Sequence, residues 1–571
     1  VKKQIEDCNL TGIEFVESNS RYYPLGDFCS YVVGYAKSYN DQSVKKMVGE
    51  MGLELSYDKQ LKGKNGYKVY QTDANGYALV DGTLREKDPT NGNDLYLTID
   101  SGLQRNLDYL MSNAYSESGA EVVTAGVMEI KTGKILAMST YPSFNPNERN
   151  ISTFNNYFLE GTIECGSVFK PFIYADSIEE GKYDHNAYYN SGSYNVYYGN
   201  KLVATIKDHN GGQGWGTITY DQGLYHSSNV AICNLLDQGY VTKDVLTEKL
   251  NDLGFFQGDT VDGLTCSSSI NAYTRKNAGR LEYLTTGFGQ GSTVTPYQLL
   301  KAYSVFGNDG KTVQPHIVDK VVNPKTNKVV YQATPKYSKQ IFSTNTISQV
   351  KDLMLGVIED EQGTGKTYRL DNDVRMIGKT GTGQVVENGG YSTTLYMHSF
   401  VGIAPYDDPQ VVMFLTFKSG DSYAQYMPNI VKQTMNEALQ VVNRYNAKNT
   451  TAVDQSYTLD SYTNQSVNYV KSKLESKSLS VQIIGNGSSV IEQYPLAKSK
   501  VTSGDKVFIK TEGKDITLPN LIGWSKKEVQ TYASLAGIQL TIDGTSGHVT
   551  AQSVGENTVV HSGDSLTVVI S

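Results

Sequence analysis

Gly166-Ser167-Val168-Phe169-Lys170-Pro171-Phe172-Ile173 begins an apolar helical segment in the first third of this 571-residue chain. A serine and a lysine three residues apart lie on one face of a helix, which puts the Lys170 amine beside the Ser167 hydroxyl. A serine hydroxyl becomes a good nucleophile only when a base removes its proton, and a lysine that is partly desolvated among other cations can be that base. The stretch therefore indicates a serine nucleophile that needs no histidine.

The Ser-x-x-Lys pattern alone carries little weight, because it recurs at four other serines: Ser43, Ser56, Ser348 and Ser503. Ser167 is distinguished by two compatible motifs that follow in order, Ser227-Ser228-Asn229 and Lys379-Thr380-Gly381-Thr382. Taken singly, the second motif is typical of a helix cap and the third of a plain hairpin. Together the three predict a serine acyl-transfer site.

Each motif has a predicted task. Ser227 relays a proton between a lysine and the leaving nitrogen, and Asn229 binds a substrate amide. Lys379 lowers the pKa of Lys170 and attracts an anionic substrate terminus. In the same motif Gly381 leaves room for substrate backbone at a strand edge, and the hydroxyls of Thr380 and Thr382 bind a carboxylate. We expect the backbone N–H groups of Ser167 and Thr382 to form an oxyanion hole.

Outward from these motifs, the pattern predicts an α+β body. Apolar strands are expected at 122–128, 135–138 and 411–417, with further strands near 376–384 and 398–404. Helices are expected to dominate from Ser167 to about Leu253. Sheet at both ends of the segment with helices between them is the α+β arrangement.

A polar linker at 446–455 precedes an internal repeat with an offset of 59 residues. Val470 corresponds to Val529 in the predicted helices, and Ser503-Gly504-Asp505 corresponds to Ser562-Gly563-Asp564. Two small tandem domains, each a helix followed by strands, account for the repeat. Their thin cores leave little room for a catalytic cleft.

Composition excludes several function classes. A formal net charge of −8 and a pI near 5.5 argue against a nucleic-acid partner. The five cysteines are odd in number and lack metal-like spacing, so we predict neither a metal nor another cofactor. Gly363-Thr364-Gly365-Lys366-Thr367 is not a phosphate loop, because Asp360 stands where a glycine is required. The chain lacks a membrane-spanning run, and we expect an anchor upstream of Val1.

The chain resembles the class B penicillin-binding proteins, most closely the Gram-positive division- and sporulation-type members with C-terminal PASTA domains. The resemblance covers nearly the whole chain and rests, beside the three motifs, on these segments: Arg21-Tyr22-Tyr23-Pro24, Gly34-Tyr35-Ala36, Leu97-Thr98-Ile99-Asp100, Tyr141-Pro142-Ser143-Phe144-Asn145-Pro146, Gly289-Gln290-Gly291 and Val294-Thr295-Pro296. It implies four domains. These are an incomplete β-rich pedestal at 1–90, a transpeptidase domain with an antiparallel sheet sandwiched by helices at 91–448, a degenerate PASTA repeat at 457–513 and a second at 514–571.

The resemblance also implies the reaction. Ser167 would be acylated by the D-Ala-D-Ala end of a peptidoglycan stem peptide, with Lys170 as base, and an amine on a neighbouring stem would then form the cross-link. Ser227, Asn229, Lys379, Thr380, Gly381 and Thr382 would line the site. β-Lactams would block Ser167. A lipid-linked precursor and a membrane glycosyltransferase are the implied partners, at the extracellular face of the cell membrane.

Two departures and two alternatives accompany this interpretation. Cys165 stands where relatives usually have proline, and Ser228 stands where some relatives have a zinc-binding cysteine, so the resemblance gives no reason to expect zinc. A hydrolase on the same scaffold, either a D,D-carboxypeptidase or a β-lactamase, is one alternative. A non-catalytic wall-binding or β-lactam-sensing protein is the other.

Overall fold

A computed structural model of the protein describes residues 5, 8, 20–41, 44–75, 77–370, 374–387, 389–449, 456–475, 477, 479–502, 505–544 and 548–570. Across these residues none of the helices has the length and apolarity needed to cross a bilayer. The fold is multidomain α+β, as predicted.

The described part of the N-terminal pedestal contains two β-hairpins and several short helices. Its elements are α1 (Ser30–Val33), β1 (Tyr35–Asp41), β2 (Val44–Met51), α2 (Gly52–Ser56), α3 (Asp58–Leu61), β3 (Tyr67–Thr72) and β4 (Ala78–Lys87). Arg21 forms an ion pair of 2.7 Å with Glu54 of α2, and the Tyr23 hydroxyl accepts the Ala36 N–H at 2.7 Å. These contacts tie the Arg21-Tyr22-Tyr23-Pro24 segment to both α2 and β1.

The central domain follows as one continuous alternation of helices and strands. In its first part lie β5 (Asp94–Leu97), α4 (Ser101–Ser118), β6 (Val122–Glu129), β7 (Ile135–Tyr141), α5 (Tyr157–Glu160), α6 (Lys170–Glu179), β8 (Tyr188–Asn190), β9 (Ser193–Tyr198), β10 (Lys201–Lys207), β11 (Thr217–Thr219), α7 (Tyr220–Tyr225), α8 (Asn229–Asp237) and α9 (Lys243–Asp252). In its second part lie β12 (Asp259–Val261), β13 (Leu264–Cys266), α10 (Arg280–Gly287), α11 (Pro296–Tyr303), β14 (Val318–Asn323), β15 (Lys328–Gln332), α12 (Thr344–Glu359), β16 (Ile377–Glu387), β17 (Gly390–Ala404), β18 (Val411–Ser419) and α13 (Met427–Asn449).

A five-stranded antiparallel sheet of order β16-β17-β18-β6-β7 forms the centre of this domain. The long helices α4 and α13 contribute to the apolar cluster that includes Val123, Ala125 and Val127 of β6. Helices α6, α8 and α12 contribute to a second cluster, which includes Met128. The sheet is therefore sandwiched by helices, with β16 at its edge and available to line a cleft.

The helical prediction for 167–253 is wrong in part, because an arm of short strands interrupts the helices. Strands β9 and β10 form a hairpin, and β8 pairs with β11. The arm escaped detection because its strands are short and mostly exposed, so they lack the alternation of apolar and polar residues that marks a half-buried strand.

The C-terminal repeats comprise β19 (Ser456–Thr458), α14 (Val467–Glu475), β20 (Ser480–Ile484), β21 (Val490–Tyr494), β22 (Lys500–Thr502), β23 (Lys506–Thr511), β24 (Ile516–Thr517), α15 (Lys526–Ala536), β25 (Gln539–Asp543), β26 (Val549–Gln552), β27 (Val559–Val560) and β28 (Ser565–Ile570). Strand β20 pairs in parallel with β23, and β25 pairs in the same way with β28. Val470 and Val529 are fully buried on their helices, in agreement with the repeat. Ser503 and Gly504, which belong to the second matched segment of the repeat, lie outside the described residues.

The two repeats share apolar packing. Ile484 and Phe508 of the first repeat belong to the core that contains Trp524 and Tyr532 of the second. The ring of Phe508 lies 5.8 Å from that of Trp524, and the Lys506 amine lies 3.5 Å from the centre of the Trp524 ring.

Candidate active site

The nucleophile segment lies between the sheet edge and the helices. Gly166–Phe169 is a 3-10 turn, and the α-helix α6 begins at Lys170, one turn later than the sequence indicated. Gly166 has φ +59°, and a Cβ there would lie 2.3 Å from the Thr382 carbonyl oxygen. The turn thus packs directly on β16, with Ser167 half-buried at its surface.

The predicted serine and lysines of the three motifs converge here. Lys170 is fully buried, and its amine donates to the Ser227 carbonyl oxygen at 2.5 Å and lies 3.4 Å from Ser227 Oγ. Lys379, also fully buried, donates to Ser227 Oγ at 2.8 Å and to the Thr380 carbonyl oxygen at 3.0 Å. Ser227 Oγ therefore bridges the two amines.

Burial changes the protonation of both lysines. Desolvation lowers the pKa of Lys170 to about 7, while the Asp208 carboxylate opposes that shift. The pKa of Lys379 lies well below its usual range because of desolvation and the neighbouring Lys170 charge. Of the two causes that the sequence suggested for the lowered pKa of Lys170, burial is thus the main one, and the Lys379 charge is not among the causes.

The second motif has a strained backbone. Ser227 has φ +59°, a left-handed conformation that side chains other than glycine rarely adopt. Ser228 is the N-cap of α8 and accepts the Ala231 N–H at 3.0 Å. The Asn229 side-chain N–H donates to the Lys207 carbonyl oxygen at 2.9 Å, which leaves Asn229 Oδ1 as the atom that can accept from a substrate amide.

The sequence analysis gave the wrong physical reason for the glycine at position 381. The residue is buried, and a Cβ at this position would lie 2.7 Å from the Cys165 carbonyl oxygen and 3.0 Å from Val168. Glycine at 381 therefore allows the nucleophile turn to approach β16, instead of making room for substrate backbone.

The two threonines of the third motif differ in environment. Thr380 Oγ1 donates to Thr364 Oγ1 at 2.9 Å, so its hydroxyl already has a partner. The Thr382 side chain is exposed on β16. Thr364 lies in the loop that resembled a phosphate site, and only the tertiary structure reveals that this loop supports the third motif.

Sequence reasoning also missed Asp208 and the ring pair formed by Trp215 and His226. Asp208 Oδ1 accepts the Asn229 N–H at 2.7 Å. The rings of Trp215 and His226 stack 4.5 Å apart at 9°. Local sequence does not single out these residues, because their proximity to Ser227 depends on how the arm folds back.

Cys165 and Ser228, the two departures from the family pattern, are both buried beside the site. The Cys165 side chain is buried, and burial raises the pKa of its thiol, which favours the unreactive protonated form. Ser228 Oγ donates to Asp208 at 2.9 Å. Within the described parts of the chain, no group of three or more histidine, cysteine or acidic side chains is arranged to hold a metal ion.

A fold with this sheet and a buried Lys-Ser-Lys network that begins one turn after a serine defines a class of protein, the serine acyltransferases of the penicillin-binding type. Family models agree with it. Residues 123–440 match the penicillin-binding protein transpeptidase domain, residues 2–97 the penicillin-binding protein dimerisation domain, and residues 457–513 and 516–571 the PASTA domain.

Individual relatives give the same result. Stage V sporulation protein D of Bacillus subtilis (strain 168) is 30% identical over 533 residues, which cover 90% of this chain and 79% of the relative. The peptidoglycan D,D-transpeptidase FtsI homolog of Mesostigma viride is 28% identical over 72% of this chain and 70% of its own. The crystal structure of penicillin-binding protein 2X from Streptococcus thermophilus aligns over 100% of this chain and 85% of its own, with 25% identity and a TM-score of 0.68.

The chain belongs to the class B penicillin-binding proteins. The predicted family, the α+β fold and the serine D,D-transpeptidase activity in peptidoglycan cross-linking are confirmed. Peptidoglycan stem peptides are its substrate class, and β-lactams are ligands of its transpeptidase domain.

Proposed function

We propose that Ser167 is the acylated residue of this transpeptidase and that Lys170, Ser227 and Lys379 form its proton relay. The observation that supports this assignment is the hydrogen-bonded bridge from the buried Lys170 amine through Ser227 Oγ to Lys379, with Lys170 three residues after the half-buried Ser167. A pKa near 7 lets the Lys170 amine be neutral in a useful fraction of molecules at neutral pH.

The acylation step follows from this arrangement. Neutral Lys170 accepts the Ser167 hydroxyl proton as Oγ attacks the carbonyl carbon of the penultimate D-alanine. The N–H groups of Ser167 and Thr382 stabilise the oxyanion. As the C–N bond breaks, Ser227 passes a proton to the leaving nitrogen and is reprotonated from a lysine, so that D-alanine departs neutral at its amine.

Deacylation reverses the roles. The amine of an acceptor stem peptide attacks the acyl-enzyme carbon, loses a proton to the relay and displaces Ser167 Oγ, which regains its proton. The new amide bond is the cross-link. Because water in place of the amine would give hydrolysis, the acceptor must be held while water is excluded.

The remaining motif residues orient the donor peptide. Asn229 Oδ1 accepts from a peptide N–H of the donor, since its amide nitrogen is held by Lys207. Lys379 and the exposed Thr382 hydroxyl attract the terminal carboxylate, with Thr380 held in place by Thr364. Gly381 contributes by bringing these groups close to Ser167.

Incubation with labelled penicillin, followed by mass spectrometry of the intact protein, tests the assignment. We expect one adduct on Ser167 that persists for many minutes and is absent in Ser167→Ala. The matched control is Ser348→Ala, which removes the exposed serine of another Ser-x-x-Lys sequence and should leave the adduct unchanged. An adduct that survives in Ser167→Ala would refute the proposal, and release within seconds would favour a β-lactamase. Release of D-alanine from a donor peptide without a cross-linked product would favour a D,D-carboxypeptidase.

We further propose that the protein works at the extracellular face of the membrane of a Gram-positive bacterium, anchored upstream of Val1, with a membrane glycosyltransferase and its lipid-linked precursor as partners. The dimerisation and PASTA domain matches support this setting. Site-specific crosslinking from the exposed Tyr22 of the pedestal in intact membranes should capture the glycosyltransferase. If that crosslink fails while penicillin still labels the protein, the proposed glycosyltransferase partner is refuted and the assignment of Ser167 is not affected.

A further inference from the structure

Asp208 follows β10 at the foot of the arm, where only 2% of its surface is exposed. Its Oδ1 accepts three hydrogen bonds, from Ser228 Oγ at 2.9 Å, the Asn229 N–H at 2.7 Å and the Val230 N–H at 3.1 Å. Its Oδ2 accepts the Gly192 N–H at 2.8 Å. Four donors converging on one buried carboxyl group match a carboxylate, which is an acceptor at both oxygens.

The contacts place this charge at the start of α8. The first backbone N–H groups of a helix lack partners within the helix, and an anion there is favoured by the helix dipole. Asp208 binds the main chain of Asn229, and the preceding residue, Lys207, binds its side chain. Two consecutive residues of the arm therefore fix the position of Asn229, and with it the direction of the oxygen that faces the substrate.

The same carboxylate is the negative charge of the relay. It favours the protonated form of Lys170 against the effect of burial. The titratable groups that interact with Asp208 or with Lys170 come from four parts of the site. They are Lys170 and Tyr174 on α6, Lys379 on β16, Cys233 on α8, and Tyr189, His209 and His226 in or beside the arm. His209 and His226 both have a pKa lowered by burial, so they add little positive charge at neutral pH.

We propose that Asp208 is a positioning residue for acyl transfer, which holds the turn that carries Ser227 and Asn229 beside Lys170. This inference rests on the relay proposed above. It makes the arm a functional part of the site, because Asp208 is also held by Gly192 at the start of the β9–β10 hairpin.

The test is the second-order rate constant for acylation by labelled penicillin, measured from pH 5 to pH 10. In Asp208→Asn the volume is kept and the charge is lost. We expect the rate at its optimum to fall on the order of 100-fold, because the relay turn is displaced. We expect the acid limb of the profile to move on the order of one pH unit lower, because Lys170 loses an opposite charge. The exposed Asp244 provides the matched control, since Asp244→Asn removes a carboxylate far from the relay contacts and should change neither quantity.

Asp208→Glu separates charge from position. It keeps the carboxylate but lengthens its stem, so we expect a wild-type acid limb with a reduced rate. An Asp208→Asn protein with a wild-type rate and acid limb would overturn the proposal. If that variant does not fold, Asp208→Glu decides alone, and either a shifted acid limb or a wild-type rate overturns the proposal. If the wild-type protein forms no adduct, the relay itself fails, which is a separate result.

Discussion

The two ends of helix α6 bury an amine and a carboxyl group, and the two groups differ in whether they have hydrogen-bond partners. At its N-terminus Lys170 is fully buried and reaches Ser227 through both the carbonyl and the hydroxyl oxygen. Six residues later Asp176 is also fully buried, but neither carboxylate oxygen has a hydrogen-bond partner among the described residues. Burying an ionisable group without partners costs stability. At the catalytic end the contacts of Lys170 offset that cost, whereas at Asp176 no hydrogen bond among the described residues does so.

The shifts at the two ends have opposite signs. Desolvation lowers the pKa of Lys170 to about 7 and raises the pKa of Asp176 well above its usual range. Both groups therefore move toward their neutral forms. Only the neutral lysine has a chemical use, since it can accept the proton of Ser167.

The largest effect is expected from Lys170→Met, which keeps the length of the side chain and removes the amine. Acylation by labelled penicillin should fall about 10³-fold, the loss typical of a missing general base. Thermal stability should hold or rise, because the desolvation cost disappears. Lys351→Met, in another Ser-x-x-Lys sequence, is the control and should acylate normally. A drop of less than tenfold would mean that Lys170 is as dispensable as Asp176.

Gly381→Ala should break the catalytic end alone. Its Cβ would lie 2.7 Å from the Cys165 carbonyl oxygen, so the turn before α6 must move away from β16. We expect acylation to fall about 100-fold, as for a displacement of about 1 Å in reacting groups. The matched control is Gly390→Ala in the same hairpin, where a Cβ would meet no atom within 4 Å. Equal rates in the two variants would contradict the close-approach argument.

Asp176→Leu should stabilise the C-terminal end of α6. Replacing an unpartnered buried carboxyl group by an apolar side chain of similar size should raise the free energy of unfolding by about 1–3 kcal/mol. Denaturant melts measure this gain, and acylation should stay at the wild-type rate. A loss of stability would show that Asp176 has a partner that the contacts at this site do not reveal.

The most gradual effect is the pH dependence of stability, to which the two ends should contribute slopes of opposite sign. Unfolded lysine binds more protons than folded Lys170 between about pH 7 and its ordinary pKa of about 10.4, so Lys170 makes stability rise with pH in that window. Folded Asp176 keeps a proton that the unfolded chain releases above about pH 3.9, so its contribution to stability falls as pH rises from there.

Melting curves across pH can separate these two contributions. Lys170→Met should remove the rising part and Asp176→Asn the falling part, each by no more than about 1.4 kcal/mol per pH unit. Superimposable profiles for wild type and both variants would refute the assigned protonation states.

The sequence was sufficient for whatever depends on spacing along the chain. Ser167 and Lys170 share a turn, the three motifs occur in order, and the strand segments at 122–128 and 411–417 are apolar enough to be recognised as buried. The α+β pattern predicted one body for these segments, and the structure shows that the two strands pair. The roles of individual site residues remain proposals, as do the predicted domain boundaries.

The rest depended on how distant segments pack. The sequence indicated that position 381 leaves no room for a side chain. It did not indicate which atoms fill that space. Asp208 and Thr364 reach the site only because an exposed arm and a surface loop fold back onto it. Neither segment has a periodic pattern, so local sequence gave no signal for its position.

The packing of Ile484 and Phe508 into the second repeat has a consequence for how the C-terminal part can evolve. A chain shortened to end after Thr511 would leave two large apolar side chains facing water. Loss or exchange of one repeat by recombination would therefore lower solubility, which would not happen in tandem domains that fold independently. The unit that can be inherited or transplanted intact is the pair.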